Sequence, residues 1–167
     1  MSNRVIIMRG FPGSGKSRYV KKLIKELRGT GVTKVHGDVV CSADFFWIDS
    51  CGCYRYNPVL APMAHIRCFY QFTEALNRKM PTVIVDNTNI HCHEYTPYFM
   101  AATIAGYEIT IVTVKTPLEA CMLQQIHNVP LKTMQLMEQE FEETLSHHKK
   151  YEIIVEKGKI ANATSNN

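Results

Sequence analysis

Eight residues, Gly10-Phe11-Pro12-Gly13-Ser14-Gly15-Lys16-Ser17, constrain this chain more than any other stretch. They follow the apolar run Val5-Ile6-Ile7-Met8. They open a segment in which Val20, Leu23, Ile24 and Leu27 recur at helical spacing, with Lys21, Lys22, Lys25, Glu26 and Arg28 on the other faces. The pattern is G-x-x-x-x-G-K-[ST], whose glycines let successive backbone N–H groups turn inward on phosphate oxygens at the start of a helix. In such a loop Gly13, Ser14 and Gly15 supply backbone contacts, Lys16 reaches the β- and γ-phosphates, and the Ser17 hydroxyl ligates Mg²⁺. Arg18 is counted with these nucleotide-binding residues, although beside Lys21 and Lys22 it also reads as a solvated helix residue. The expected ligands are a nucleoside triphosphate, ATP or GTP, and Mg²⁺.

A chain of 167 residues has room for one core. The expected division is a phosphate-loop domain over residues 1–156 and a disordered polar tail over 157–167. Apolar residues make up 46% and charged residues 20%, and the net charge of +4 suits a phosphate-rich ligand without requiring nucleic acid. No apolar run has the length of a membrane span and no secretion signal opens the chain, so a soluble, intracellular protein without a membrane partner is expected. Six cysteines in such a chain are expected as thiols. Cys51-Gly52-Cys53 and His91-Cys92-His93 lack the ligand spacing of structural zinc sites.

Beyond the first helix, stopped by Gly29 and Gly31, Val39-Val40-Cys41 reads as a strand ending at Ser42-Ala43-Asp44. Phe45 to Tyr56 is aromatic and without a clean period, an irregular connection closed by a turn at Asn57-Pro58. A helix follows, with His65, Phe69, Phe72 and Leu76 as its buried stripe. Thr82-Val83-Ile84-Val85 is a fully apolar strand of the kind that parallel sheets bury on both faces. After Asn87-Thr88-Asn89 comes a helix with Tyr95, Tyr98, Phe99 and Ala102 inward, then a strand from Tyr107 to Val114. A helix over Leu118 to Ile126, a break at His127-Asn128-Val129-Pro130, a helix over Leu131 to Leu145 and a strand over Tyr151 to Val155 complete the reading. Strands alternating with helices predict a three-layer α/β/α fold with a mainly parallel sheet, whose carboxyl ends meet at the ligand-binding edge.

Gly10, Asp44 and Asp86 all lie just past a strand's carboxyl end and should converge there. Asp86, ending an apolar strand, is a candidate Mg²⁺ residue, or a cap of the following loop. Asp44 is a candidate general base toward an attacking hydroxyl, or the cap of a helix beginning at Phe45.

The combination of Gly10 to Ser17, Ser42-Ala43-Asp44, Ala64-His65, Asp86-Asn87-Thr88-Asn89 and His127-Asn128-Val129-Pro130 resembles the polynucleotide-kinase-like branch of P-loop phosphotransferases. That branch includes zeta toxins, polynucleotide 5′-kinases and Nedd4-binding-protein-like ATPases, and the resemblance covers roughly residues 4 to 145. It implies that Lys16 and Ser17 act on the phosphates and metal, that Asp44 is the base toward a 5′-hydroxyl, and that Asp86 holds the Walker-B place. It also implies that Cys121 to Pro130 forms a lid. The partner so implied is a single-stranded nucleic acid 5′ end.

Two departures stand out. Trp47 occupies the place of an arginine that grips the acceptor's phosphate, and Gln124 and Gln125 stand where a lid arginine is usual. A transition state with charge on three equatorial oxygens then needs another cation. Arg55, Arg67, Arg9 and Arg18 are candidates, with Arg55 preferred for its place between Tyr54 and Tyr56. The rings of Phe45, Phe46, Trp47, Tyr54 and Tyr56 read either as base-stacking surfaces or, for most of them, as core. Three functions stay open: transfer to a 5′-hydroxyl, a nucleotide-binding module that switches or scaffolds a partner, and a small-metabolite kinase with a closed aromatic pocket.

Overall fold

A computed structural model describes residues 2–29, 38–156 and 159–160. Its centre is β1 (Arg4–Arg9), flanked by β3 (Thr82–Val85) on one side and β4 (Glu108–Lys115) on the other. β2 (Asp38–Cys41) pairs outside β3, and β5 (Glu152–Glu156) pairs outside β4. These five strands are parallel, in the order β2-β3-β1-β4-β5. A short β6 (Lys159–Ile160) adds antiparallel to β5. The rest of the expected tail, residues 157–158 and 161–167, lies outside the described residues, as do the Leu27 side chain and Gly31.

The strands alternate faces as a doubly covered sheet requires. Ile6, Met8, Ile84, Val112 and Val114 meet Val20 of α1 (Lys16–Gly29), while Tyr19, Leu23 and Ile24 pack at its margin. Val5, Ile7, Val83, Val85 and Ile111 face the opposite way, toward α2 (Ala61–Asn77) and α3 (Cys92–Ile104). The chain therefore leaves β1 over one face and β3 over the other. That puts the carboxyl ends of two neighbouring strands at the edge where ligands of such sheets bind.

The buried stripe of α2 is rotated from the expected one. Ala64, Cys68, Phe72, Ala75 and Leu76 are buried, Phe69 is half-buried and His65 is exposed. The small Cys68 is required there because the Asn87 amide packs on its sulfur at 3.4 Å. The next two helices are shorter than expected. α4 spans Leu118–Gln124, and α5 spans Leu131–Glu140 with Phe141 already extended.

Arg9 accounts for the early end of α5. Its side chain is 0% exposed. Nε donates to the Asn89 carbonyl at 2.8 Å and Nη2 to the carbonyls of Ile90 and Glu142 at 3.1 and 2.8 Å. Nη1 donates to the Thr144 hydroxyl at 2.6 Å, and that hydroxyl donates onward to the Glu152 carboxylate at 2.7 Å. The rings of Tyr95 and Phe141 lie 4.8 and 5.0 Å from the guanidinium carbon. Residues 141–144 could not stay helical and still offer these acceptors, so tertiary demand overrides local propensity. Arg9→Met would take the side-chain donor from the Asn89 and Glu142 carbonyls, while Ile90 keeps the Glu142 N–H, and should cost about 3 kcal/mol of stability, read from urea unfolding. An unchanged midpoint would contradict this role.

Candidate active site

The phosphate loop runs from the end of β1 into α1. Gly10 N donates to the Thr88 carbonyl at 2.9 Å, the Thr116 hydroxyl donates to the Ser14 carbonyl at 2.9 Å, and Ser14 N closes a turn on Phe11 at 3.1 Å. Gly13 has φ +77°, and a Cβ there would lie 2.2 Å from the Cys121 carbonyl oxygen and 2.9 Å from Gln125 N. Only glycine permits that approach of loop to α4.

Lys16 is buried inside the loop's curve, its Nζ donating to the carbonyls of Gly10 and Phe11, both at 2.8 Å. Burial pulls its pKa down to about 8, against the attraction of Asp86 and Asp44. The adjacent Ser17 hydroxyl donates to Asp86 Oδ2 at 2.8 Å. Burial pushes the Asp86 carboxyl upward, opposed by the Ser17 hydrogen bond and the Lys16 charge. Asp86 Oδ1 is buried without a hydrogen-bond partner among the described residues. An unpaired carboxylate oxygen next to a serine hydroxyl is an oxygen-donor set that fits a hard divalent cation such as Mg²⁺.

Asp44 reaches the same cleft from the tip of β2. Asp86 N donates to the Cys41 carbonyl at 2.9 Å, Ser42 Oγ to the Asp86 carbonyl at 2.9 Å, and Ala43 N to Asn87 Oδ1 at 2.9 Å. These bonds lock the ends of β2 and β3 together. Ser42 also caps a single 3₁₀ turn over Ala43–Trp47 by accepting from Asp44 N at 3.3 Å. The Asp44 side chain remains half-exposed. Tyr54 donates its hydroxyl to Oδ1 at 3.0 Å, and His127 Nε2 lies 3.6 Å from Oδ2. The two rings lie side by side with centroids 4.3 Å apart and planes tilted by 31°.

His127 comes from the turn between α4 and α5. Gln125 shapes this turn by accepting from Val129 N at 2.7 Å and donating to the Val129 carbonyl at 2.9 Å. Asn128 takes the left-handed conformation, φ +51°. The Gln125 amide is thus occupied within the turn, and both Gln124 and Gln125 line the cleft.

The cleft has a volume of about 680 Å³ and is bordered by Lys16, Asp44, Asp86, His65 and His127, with Gly13, Gly15, Ser17, Arg18 and Trp47 also on its walls. Three distant points of the chain, Lys16, Asp44 and Asp86, therefore share one cavity. Ser14, with its hydroxyl buried and unpaired among the described residues, lies behind the loop. Of the arginines considered beside Arg18, none lines this space. Arg9 is consumed in the core, Arg67 lies against the Phe46 ring, and Arg55 Nε pairs with Asp49 at 2.7 Å. Trp47 is 6% exposed, a wall residue packed edge-to-face on Phe46 and Tyr56. Phe45, Tyr54 and Tyr56 are exposed.

The meeting of Tyr54 and His127 on Asp44 cannot be read from local pattern, because their separations exceed any helix or strand period. The outward turn of Arg55 does have a signal. Asp49-Ser50-Cys51-Gly52 is a turn sequence in which Asp49 Oδ1 accepts from Cys51 N and Cys53 N, both at 2.9 Å, leaving Oδ2 for Arg55.

A family model described as "AAA domain" matches residues 5–144. The chain belongs to that family. This agrees with the polynucleotide-kinase-like P-loop resemblance of its motifs. Human NEDD4-binding protein 2 is 29% identical over 105 residues, 63% of this chain. The match spans only 5% of that protein's length. The structure of the Pnkp1/Rnl/Hen1 RNA repair complex is similar with a TM-score of 0.62 and 19% identity, covering 84% of this chain and 44% of that one. Chaetomium thermophilum Kti12 in complex with ADP-AlF3 is similar with a TM-score of 0.63 and 13% identity, covering 91% and 87%. These likenesses establish a P-loop kinase-like fold. Among the described residues, no helix is long and apolar enough to cross a membrane.

Gly13 and Gly52 share nearly the same φ, +77° and +78°, but only at Gly13 would an added methyl meet neighbours within 4 Å. Gly52→Ala should cost about 1 kcal/mol in backbone strain alone. Gly13→Ala should cost roughly 1–3 kcal/mol more, because α4 has to move. Equal unfolding midpoints for the two variants would show that the close approach carries no energy.

Proposed function

We propose that this chain is an ATP- and Mg²⁺-dependent phosphotransferase that moves the γ-phosphate to a hydroxyl, with the 5′-hydroxyl of a nucleotide or polynucleotide end as the acceptor class its motifs favour. The observation that carries this reading is the common cleft of Lys16, Asp44 and Asp86. Kti12, of the same fold, is in complex with ADP-AlF3, and Pnkp1 belongs to an RNA repair complex. The first supports a nucleotide ligand, and the second keeps a nucleic acid end among the acceptors.

The triphosphate lies along residues 10–17, where backbone N–H groups and the positive end of α1 receive its oxygens. Lys16 exchanges its two loop carbonyls for β- and γ-oxygens. Ser17 and Asp86 would hold Mg²⁺, which neutralises phosphate charge when bound. Asp44, steadied at Oδ1 by Tyr54, takes the acceptor's hydroxyl proton at Oδ2 as the new O–P bond forms and the bond to the bridging oxygen breaks, releasing ADP. The His127 imidazole, with Nε2 3.6 Å from Oδ2, borders that oxygen from the turn that also carries the neutral Gln124 and Gln125.

A nucleotide-binding module without transfer is the second reading. It is favoured by the neutral Gln124 and by the orientation of Arg55 and Arg67 outside the cleft. Incubation with γ-labelled ATP and 5′-hydroxyl acceptors separates the two: acceptor-dependent label supports the enzyme, and tight ATP binding without label supports the module. Asp44→Asn should lower kcat about 10²- to 10⁴-fold with ATP binding retained. Transfer at the parent rate by this variant would remove Asp44 from the chemistry.

Lys16 gives a pH dependence of definite sign. In the free protein it loses its proton near pH 8, and phosphate oxygens raise its pKa. ATP binding at pH 8.5 therefore draws in a proton, and affinity falls as pH rises above about 8. Calorimetry in two buffers of different ionisation enthalpy should report this uptake, and Lys16→Met should abolish it. Identical heats in both buffers would contradict the assignment.

A further inference from the structure

Resting on the phosphotransfer step but departing from the phosphate-bearing acceptor that the motifs favour, we propose that the acceptor is bound as an uncharged planar hydroxyl compound, of which a nucleoside is the type. Its apolar body is held by the rings beside Asp44, with no cation gripping a phosphate on it. The acceptor end of the cleft is lined by Trp47, Tyr54, Tyr56, Pro58, Ala61 and Ala64. Tyr56 is 58% exposed and packs edge-to-face on the buried Trp47 with centroids 5.0 Å apart, so Tyr56 is the ring a planar compound can cover and Trp47 backs it.

Charge decides between acceptors. Among the described residues, the Lys and Arg side chains that line the cleft are Lys16 and Arg18, both at its phosphate-loop end. The arginines of the acceptor side are committed elsewhere, Arg55 to Asp49 at 2.7 Å and Arg67 over the Phe46 ring at 5.9 Å. What faces an acceptor there is the Asp44 carboxylate, with the His127 imidazole 3.6 Å from its Oδ2 and the His65 imidazole on the rim. A phosphate carried on the acceptor would meet a negative group without a fixed cation, and like-charge contact opposes binding. An uncharged ring system meets aromatic faces, which bind bases whatever their sequence.

The chain has a single tryptophan, so its emission reports directly on this wall. Adenosine, adenosine 3′-monophosphate and a 5′-hydroxyl oligothymidylate are titrated into the protein holding Mg²⁺ and a non-hydrolysable ATP analogue. Adenosine should quench the emission, with a Kd that changes less than threefold between 50 and 300 mM salt. The 3′-phosphate should bring no gain. By calorimetry, Tyr56→Ala should weaken adenosine about tenfold, Tyr56→Phe should restore it, and neither should alter binding of the analogue. Tenfold tighter binding of either phosphate-bearing acceptor, with the steep salt dependence of phosphate contacts, overturns the proposal, as does the absence of binding by adenosine. Label transfer run in parallel separates the two readings. Adenosine that binds at the wall and never receives label removes the phosphotransfer reading and leaves the subsite. Label on the oligonucleotide in strong preference to adenosine does the reverse.

Discussion

A guanidinium sealed from water holds the working edge of this sheet together. Removing such a charge from solvent costs several kcal/mol, and Arg9 offsets the cost with four hydrogen bonds and two aromatic faces. Its partners lie in the loop after β3 and in the segment after α5, and it stands one residue before Gly10. The origin of the phosphate loop is therefore fixed by contacts 80 to 135 residues away. Asn89 completes the block with its amide on the Met8 carbonyl at 2.8 Å, from a left-handed backbone of φ +46°. Within Asp86-Asn87-Thr88-Asn89 the first residue faces the cleft, while the second and fourth are buried fasteners for β2 and β1.

The cleft keeps two ions in surroundings that disfavour both. Burial raises the Asp86 carboxyl and lowers the Lys16 ammonium, and each is the other's partial compensation. Asp86 Oδ1 is buried at the wall of the cleft, and nothing among the described residues hydrogen-bonds to it. Such a pair gains from a cation at the carboxylate and an anion at the ammonium together more than from either alone, which is the charge pattern of a metal–nucleotide complex.

The sequence discloses what repeats locally and hides what is assembled across the chain. The phosphate loop, the strand ending at Asp86 and the strand ending near Asp44 all follow from short runs with one period. Their parallel order follows from the helices between them. Arg9 is invisible to that reasoning, because at the end of an apolar strand it resembles a solvated charge until its distant acceptors are known. The end of α5 at Glu140 is hidden for the same reason. The α2 stripe departs from its hydropathy pattern because volume outranks hydropathy: a cysteine fits under Asn87, while His65, one turn from the start of the helix, borders the cleft. Trp47 is legible as a wall residue, since a cluster of rings beside a site cannot all face water.

The near-contact at Gly13 carries a mechanical meaning. With the loop's backbone seated against the last turn of α4, the segment that carries His127 is closely packed at the phosphate end, while at its other end the His127 ring meets Tyr54 at a 31° tilt. Any opening is then a swing about the phosphate end, wide where an acceptor arrives and small where the triphosphate lies. The two ends of the one cavity thereby open to different extents.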